Sequence, residues 1–335
     1  MIKPEDIDYH VPAGIDYRYA ETNYFVAYVP EERILATFYT LTRKAIGVCL
    51  VDVAIFGCLA DNRSEMLYLD TQQQLPAPER LSRFETPNGL KVTAADLRHY
   101  QLDYVGFDDT EAHLSFEGLT EPFDIHDPAH SPRATPQDAA ARAEGSGLGA
   151  AYGNHFDMSC RVTGTLKVRG KRYRVDCVST MDHSWGPRCE VGLKAMGWMN
   201  AHFGPDYALH WINSLDLSQP AGRQEALAHG YVLENGQLHG LKDLRMISNR
   251  LGAVNVGIDI VATDIRGKQH TLHGTAVVGA PWSCYTGVML QVAMTRWITS
   301  TGRIGHGLNM ENYPLDQLAR LRGRRWDAPA GRIGT

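Results

Sequence analysis

Alternation of apolar and polar residues with a period of two runs through most of this chain, and it leaves little room for anything but β-structure. In "GVCLVDVAIFG", Cys49, Val51, Val53 and Ile55 share one face, while Val48, Leu50, Asp52, Ala54 and Phe56 share the other. Both faces are largely apolar, which predicts a strand buried on both sides or lining a cavity. Similar strands are predicted at 33–41, 100–107, 111–117, 160–168, 171–179, 193–203 and 207–217. Others follow at 227–233, 255–264, 270–279 and 284–298. The Asn-Gly of "LENGQL" suits a type I′ hairpin turn, and "VRGKRY" and "DIRGKQ" repeat the logic with a glycine at the tip. Helical periodicity is confined to 74–83, the alanine-rich 136–144, and 314–321. An all-β architecture with short decorating helices is the expectation.

The stretch 118–154 breaks the strand rhythm with Pro, Ala, Gly and Ser, and reads as a crossover between two β-units. A boundary near residue 145 divides the chain into barrel-like units at 1–145 and 146–320, with a tail at 321–335. A length of 335 residues accommodates both. The net charge of −5 gives no field that would attract nucleic acid, and the arginines near the C-terminus read as a solvated tail. The opening "MIKPEDIDYHVPAG" lacks the features of a secretory signal. The longest apolar run, 45–60, carries Asp52 and falls short of the about 18 residues that a membrane helix needs. A cytoplasmic protein with no membrane span is expected. The six cysteines (49, 58, 160, 177, 189 and 284) form no C-x-x-C pair and read as small buried hydrophobes.

Several chemistries lack their motifs. No phosphate-binding loop or dinucleotide fingerprint joins a strand to a helix, although "GSGLGAAYG" and "GRIGHGLNMEN" are glycine-rich. G-x-S-x-G and H-E-x-x-H are absent. Fourteen histidines show close spacing only at His126/His130 and His270/His273, so neither a metal nor a cofactor is expected.

The densest chemistry lies in "MDHSWGPR", residues 181–188, where a strand runs into a Gly-Pro break. Alternation puts Asp182 and Ser184 on one face, His183 and Trp185 on the other. A corner needs the glycine and proline, but not an adjacent acid, imidazole and guanidinium. A carboxyl held in an apolar interior has a raised pKa and can donate a proton near neutral pH. The next dense stretch, "GWMNAHFGPDYALHWINSLD", carries Trp198, His210 and Trp211, and His210 could reach Asp182. Tyr24, Tyr39 and Asp52 are polar groups on otherwise apolar strands, and a carboxylate such as Asp52 must be paired there or shifted in pKa. His306, Asn309 and Glu311 form a further polar group near the end.

"MDHSWGPR", preceded by "RVTGTLKVRGKRYRVD", resembles the D-H-S-W-G-x-R signature of a family related to carotenoid 1,2-hydratase and kievitone hydratase. The stretch from Tyr19 to Gly57 is similar to the opening of that family's first barrel, with Glu21 and Tyr24 starting its first strand. The resemblance extends over most of residues 15–315. It implies two consecutive lipocalin-like antiparallel β-barrels and a hydratase, dehydratase or isomerase acting without a cofactor on a hydrophobic isoprenoid alkene or alcohol. Asp182, His183, His210 and Asp52 are then the candidate catalytic groups. Trp185, Tyr24, Tyr39, Trp198, Trp211 and Arg188 are the candidate substrate contacts. The alternative is a non-catalytic carrier of hydrophobic ligands, which needs the cavity but not the acid.

Overall fold

A computed structural model describes residues 2–12, 14–132, 134, 154–188, 193–283 and 287–322. Its first half opens with three long strands, β1 (Tyr19–Val29), β2 (Ile34–Arg43) and β3 (Val48–Phe56). Next come β4 (Tyr68–Pro76), β5 (Arg83–Glu85), β6 (Leu90–Ala94), β7 (His99–Val105), β8 (Glu111–Gly118) and the short β9 (Phe123–Asp124). The hairpin of β10 (Asn154–Val168) and β11 (Lys171–Pro187) follows. Together they form one sheet in the order β4-β3-β2-β1-β11-β10-β8-β7-β6-β5, with β9 on β10. The sheet stays open, with β4 and β5 as its ends, and curls over a core of its own.

The second system is a closed barrel. Its strands are β12 (Met196–His202), β13 (Tyr207–Leu215), β14 (Glu225–Glu234) and β15 (Gln237–Leu251), followed by β16 (Val254–Asp264), β17 (Gln269–Trp282), β18 (Val288–Thr299) and β19 (Ile304–Pro314). β19 pairs back onto β12 and closes the ring. The glycine-rich "GRIGHGLNMEN" is this closing seam rather than a ligand loop. A Cβ at Gly305 or Gly307 would lie 2.2 Å from the His202 carbonyl oxygen or 1.9 Å from that of Asn200, so only glycine lets the two backbones meet. One helix, α1 (Leu315–Arg322), follows β19, in agreement with the sequence.

The all-β expectation holds, and most predicted strands are present within a few residues. The predicted helix at 74–83 is instead the end of β4 and an irregular link to β5, because Pro76 and Pro78 remove amide donors from a helical turn. The predicted helix at 136–144 and Cys189 and Cys284 lie outside the described residues. Cys49 and Cys160 are buried and unbridged as expected, whereas Cys58 is exposed. The hydrogen-bonded division between the two systems falls between Pro187 and Met196, beyond the compositional boundary near 145, since β10 and β11 pair with β8 and β1. No helix among the described residues is long and apolar enough to cross a membrane.

Three apolar cores organise this architecture. One lies inside the curled sheet and contains Cys49, Val51, Val53 and Ile55; another fills the barrel around Trp211 and Trp297. Between them, Tyr24, Val26, Tyr28, Leu50, Ala54 and Phe56 meet Trp198, Ile212, Val278, Trp282 and Leu308 from the barrel's outer wall. Strand β3 is therefore apolar on both faces because it separates two cores.

Candidate active site

The octapeptide continues β11 to its end, and its neighbours decide what each side chain meets. Asp182 lies opposite Tyr24 on β1 and opposite Asp157 on β10. In antiparallel pairs, directly opposed residues project to the same face, so Asp182, Tyr24 and Asp157 all turn toward the barrel.

There they border a narrow cleft of about 40 Å³. The sheet contributes Thr22, Tyr24, Tyr39, Asp182, Ser184 and Arg188, and the barrel contributes Trp282, Leu290, Met310 and Asn312. Tyr24 stacks on Trp282 at 5.7 Å, and Tyr39 meets the same indole edge-on at 5.9 Å. Arg188 donates to the Tyr39 hydroxyl at 3.1 Å and to Ser184 Oγ at 3.0 Å, and Ser184 and Thr22 share a hydroxyl bond at 2.6 Å. Asp182 is only 8 % exposed, and its Oδ1 has no hydrogen-bond partner among the described residues. Burial pushes its carboxyl up to about 7; the nearby His155 and Arg188 oppose that rise, while Asp157 adds to it.

Asp157, which the sequence reading overlooked, holds the adjoining network. Its carboxylate accepts from Trp198 Nε1 at 3.0 Å, with His155 Nε2 at 2.9 Å and His210 Nε2 at 3.0 Å. Burial would raise this carboxyl, but the two imidazoles outweigh it and hold Asp157 well below the usual carboxylate range. His155 moves the other way: burial disfavours its cation, and Asp157 more than restores it. His229 lies in the same group, and burial lowers it to about 3. His155, Asp157 and His229 could offer three atoms to a metal, but Asp157 already has a charge partner and an indole donor. A signal for this network existed. His155, Asp157 and Ser159 alternate with Phe156, Met158 and Cys160, so the polar residues share one face of β10. Predicting that strand from residue 160 onward hid the pattern.

The structure brings Asp182, Tyr24, Tyr39 and Arg188 together at the cleft, with Trp198 and His210 joined to Asp157 beside it. It does not bring the other candidates there. Asp52 is buried behind the cleft wall, accepting from Trp282 Nε1 at 2.6 Å and Thr71 Oγ1 at 2.5 Å. Burial pushes its carboxyl up to about 7, against those two hydrogen bonds. Trp211 points into the barrel, 5.7 Å from Trp297. His183 and Trp185 occupy the opposite face of β11, so Trp185 is not a wall beside Asp182. Period-two alternation forbids both roles on one face. His183 Nδ1 donates to the Thr22 carbonyl at 2.9 Å, and burial keeps its ring neutral, lowered to about 3. Glu311, from the C-terminal polar group, is occupied by Arg250, Asn255 and Tyr313.

Residues 3–312 match a family described as a domain of unknown function, DUF7064. The chain belongs to DUF7064. No curated protein matches this DUF7064 sequence. Its fold is similar to that of kievitone hydratase from Nectria haematococca, at 12 % identity and a TM-score of 0.55, with 88 % of each chain covered. It is similar also to a putative AttH from Nitrosomonas europaea, at 11 % identity and a TM-score of 0.56, covering 88 % of this chain and 92 % of that one. A third similar structure is CghA with Sch210972, at 12 % identity and a TM-score of 0.52, with 88 % of each chain covered. This chain thus has a fold similar to that of kievitone hydratase, as the octapeptide's resemblance implied.

Proposed function

We propose that this DUF7064 chain is a cofactor-independent acid–base enzyme, a hydratase, dehydratase or isomerase acting on a hydrophobic isoprenoid alkene or alcohol. The observation that carries the reading is the Asp182 carboxyl, buried at the cleft with one oxygen that has no hydrogen-bond partner among the described residues and aromatic faces around it. A kievitone hydratase sharing the fold is compatible with it. In the dehydrating direction, Asp182 gives its proton to the substrate hydroxyl, the C–O bond breaks and water leaves. Positive charge on carbon is met by the faces of Tyr24, Tyr39 and Trp282, each contact worth about 0.5–2 kcal/mol. The neighbouring C–H proton then passes to the ionised Asp182, which regains its acid form, and the electron pair forms the alkene. Hydration is the reverse, and isomerisation loses a different proton. A carboxyl whose pKa is raised toward neutral can give a proton in one step and take one back in the next.

A cleft of about 40 Å³ holds only a few waters. A substrate of isoprenoid size therefore enters by turning aside Leu290 and the flexible Met310. The test is turnover of a panel of acyclic terpene alcohols and alkenes, followed by mass spectrometry. The expected result is loss or gain of one water, or an isomer of equal mass, with the rate reduced about 10²–10⁴-fold in Asp182→Asn. Binding across the panel without conversion would identify a carrier and sink the enzyme reading.

A further inference from the structure

The face of β11 turned away from the cleft carries a second constellation. His10, from the segment preceding β1, Glu21 on β1 and His183 on β11 present three ligand atoms that all lie within 4.8 Å of one another. Each is the remaining polar atom of a group whose other end is already fixed. His10 Nε2 is held by Asp6 Oδ1 at 3.0 Å, which leaves Nδ1 facing Glu21 Oε2 at 3.0 Å. Glu21 Oε1 accepts from the His10 backbone N–H at 2.7 Å, which leaves Oε2. His183 Nδ1 donates to the Thr22 carbonyl, which makes Nε2 the lone-pair nitrogen. That nitrogen is buried without a hydrogen-bond partner among the described residues and lies 3.6 Å from Glu21 Oε2. The lone pairs of His183 Nε2 and Glu21 Oε2 thus face each other.

We propose that His10 Nδ1, Glu21 Oε2 and His183 Nε2 bind one divalent zinc-class ion, which staples the N-terminal segment to the strand bearing Asp182. A carboxylate or a backbone carbonyl on the far nitrogen of each imidazole is the second shell that metal-ligating histidines use. Two imidazoles and a carboxylate are ligands suited to zinc. Tetrahedral zinc separates its nitrogen and oxygen ligands by about 3.3–3.4 Å, and the two separations involving Glu21, 3.0 and 3.6 Å, bracket that spacing. The His10 ring is fixed by stacking on Trp185, with centroids 3.8 Å apart and planes 2° from parallel. The His10 side chain is 21 % exposed while Glu21 and His183 are 2 % exposed, so an ion enters from the His10 side, where the fourth position stays open to water. The ligands come from three separate segments, which explains why no histidine spacing announced them. The octapeptide then serves two sites, one on each face of its strand.

The rival occupant of the space is a proton, making His10 an imidazolium between Asp6 and Glu21. The two differ in a direct measurement on the chelator-stripped, full-length protein titrated with Zn²⁺ by calorimetry and with Co²⁺ by visible absorption. The expected result is one ion per chain and the intense visible bands of four-coordinate cobalt. Affinity should weaken about 100-fold or more in His10→Gln and about 10-fold in Asp6→Asn. His10 precedes the first strand, so neither change disturbs a sheet ladder. His229→Gln, in the cleft network, should leave the titration unchanged. Absence of saturable binding, or binding that survives His10→Gln, would overturn the proposal, as would binding lost in His229→Gln.

Discussion

Asp157 and Asp182 face each other across the β10–β11 ladder, yet their surroundings move them in opposite directions. Removing one partner from a buried ion pair costs about 3–5 kcal/mol, because the other charge stays buried. Asp157→Asn strands the His155 cation and should lower unfolding free energy by about that amount in urea titration; a change under about 1 kcal/mol would show that the pair adds little. Asp52 makes a different prediction. Its folded pKa of about 7 lies above its unfolded value of 3.8, so between those limits the folded chain holds the extra proton. Its contribution is greatest below the unfolded pKa, declines as pH rises toward 7 and is flat beyond. Asp52→Asn removes the slope, so stability of the variant relative to the natural protein should rise by about 2–3 kcal/mol from pH 5 to pH 7. A pH-independent difference between the two would mean that Asp52 is ionised throughout. At this scale the sequence exposed Asp52 as an acid in an apolar run and Asp182 through the dense octapeptide around it. It did not expose Glu21 as a partner of His183, since strand register, not sequence distance, brings them together.

Among elements, turns and alternating strands were the legible parts. Asn235 and Gly236 have φ of 51° and 79°, the two positive values of a type I′ turn that "LENGQL" announces. β4 was missed because Gln72, Gln73 and Gln74 face solvent near one end of the sheet and blur its alternation. Two glycines separate backbone preference from steric contact. Gly236 has positive φ with nothing within 4 Å of a built Cβ, so Gly236→Ala should cost about 1–2 kcal/mol. Gly164 has φ of 143°, and a Cβ there would sit 2.0 Å from the His113 carbonyl oxygen on β8. Gly164→Ala must therefore displace the β8–β10 ladder and should destabilise by clearly more than Gly236→Ala in the same denaturation assay. Equal costs would mean that the ladder yields without resistance.

For the whole molecule, what matters is that the sheet and barrel share a core that neither can replace alone. Without the barrel, Tyr24, Val26, Tyr28, Leu35, Leu41, Leu50 and Phe56 would form one apolar face in water, far beyond the scattered exposure a soluble surface carries. Composition suggested a boundary near residue 145, but it could not show that the hairpin of β10 and β11 pairs with the first sheet, because pairing partners are set by three-dimensional closure. That return places Asp182 and Asp157 at the sheet–barrel interface, so the integrity of the candidate site depends on both units being folded. Unfolding should accordingly be a single cooperative transition, with calorimetric and van't Hoff enthalpies in a ratio near one. Val26→Asp, which puts a charge into the shared core, should lower that one transition without splitting it. Two resolved transitions in the natural protein, or a variant that shifts only part of the heat absorption, would mean that the units unfold separately and that the interface is a contact rather than a common core.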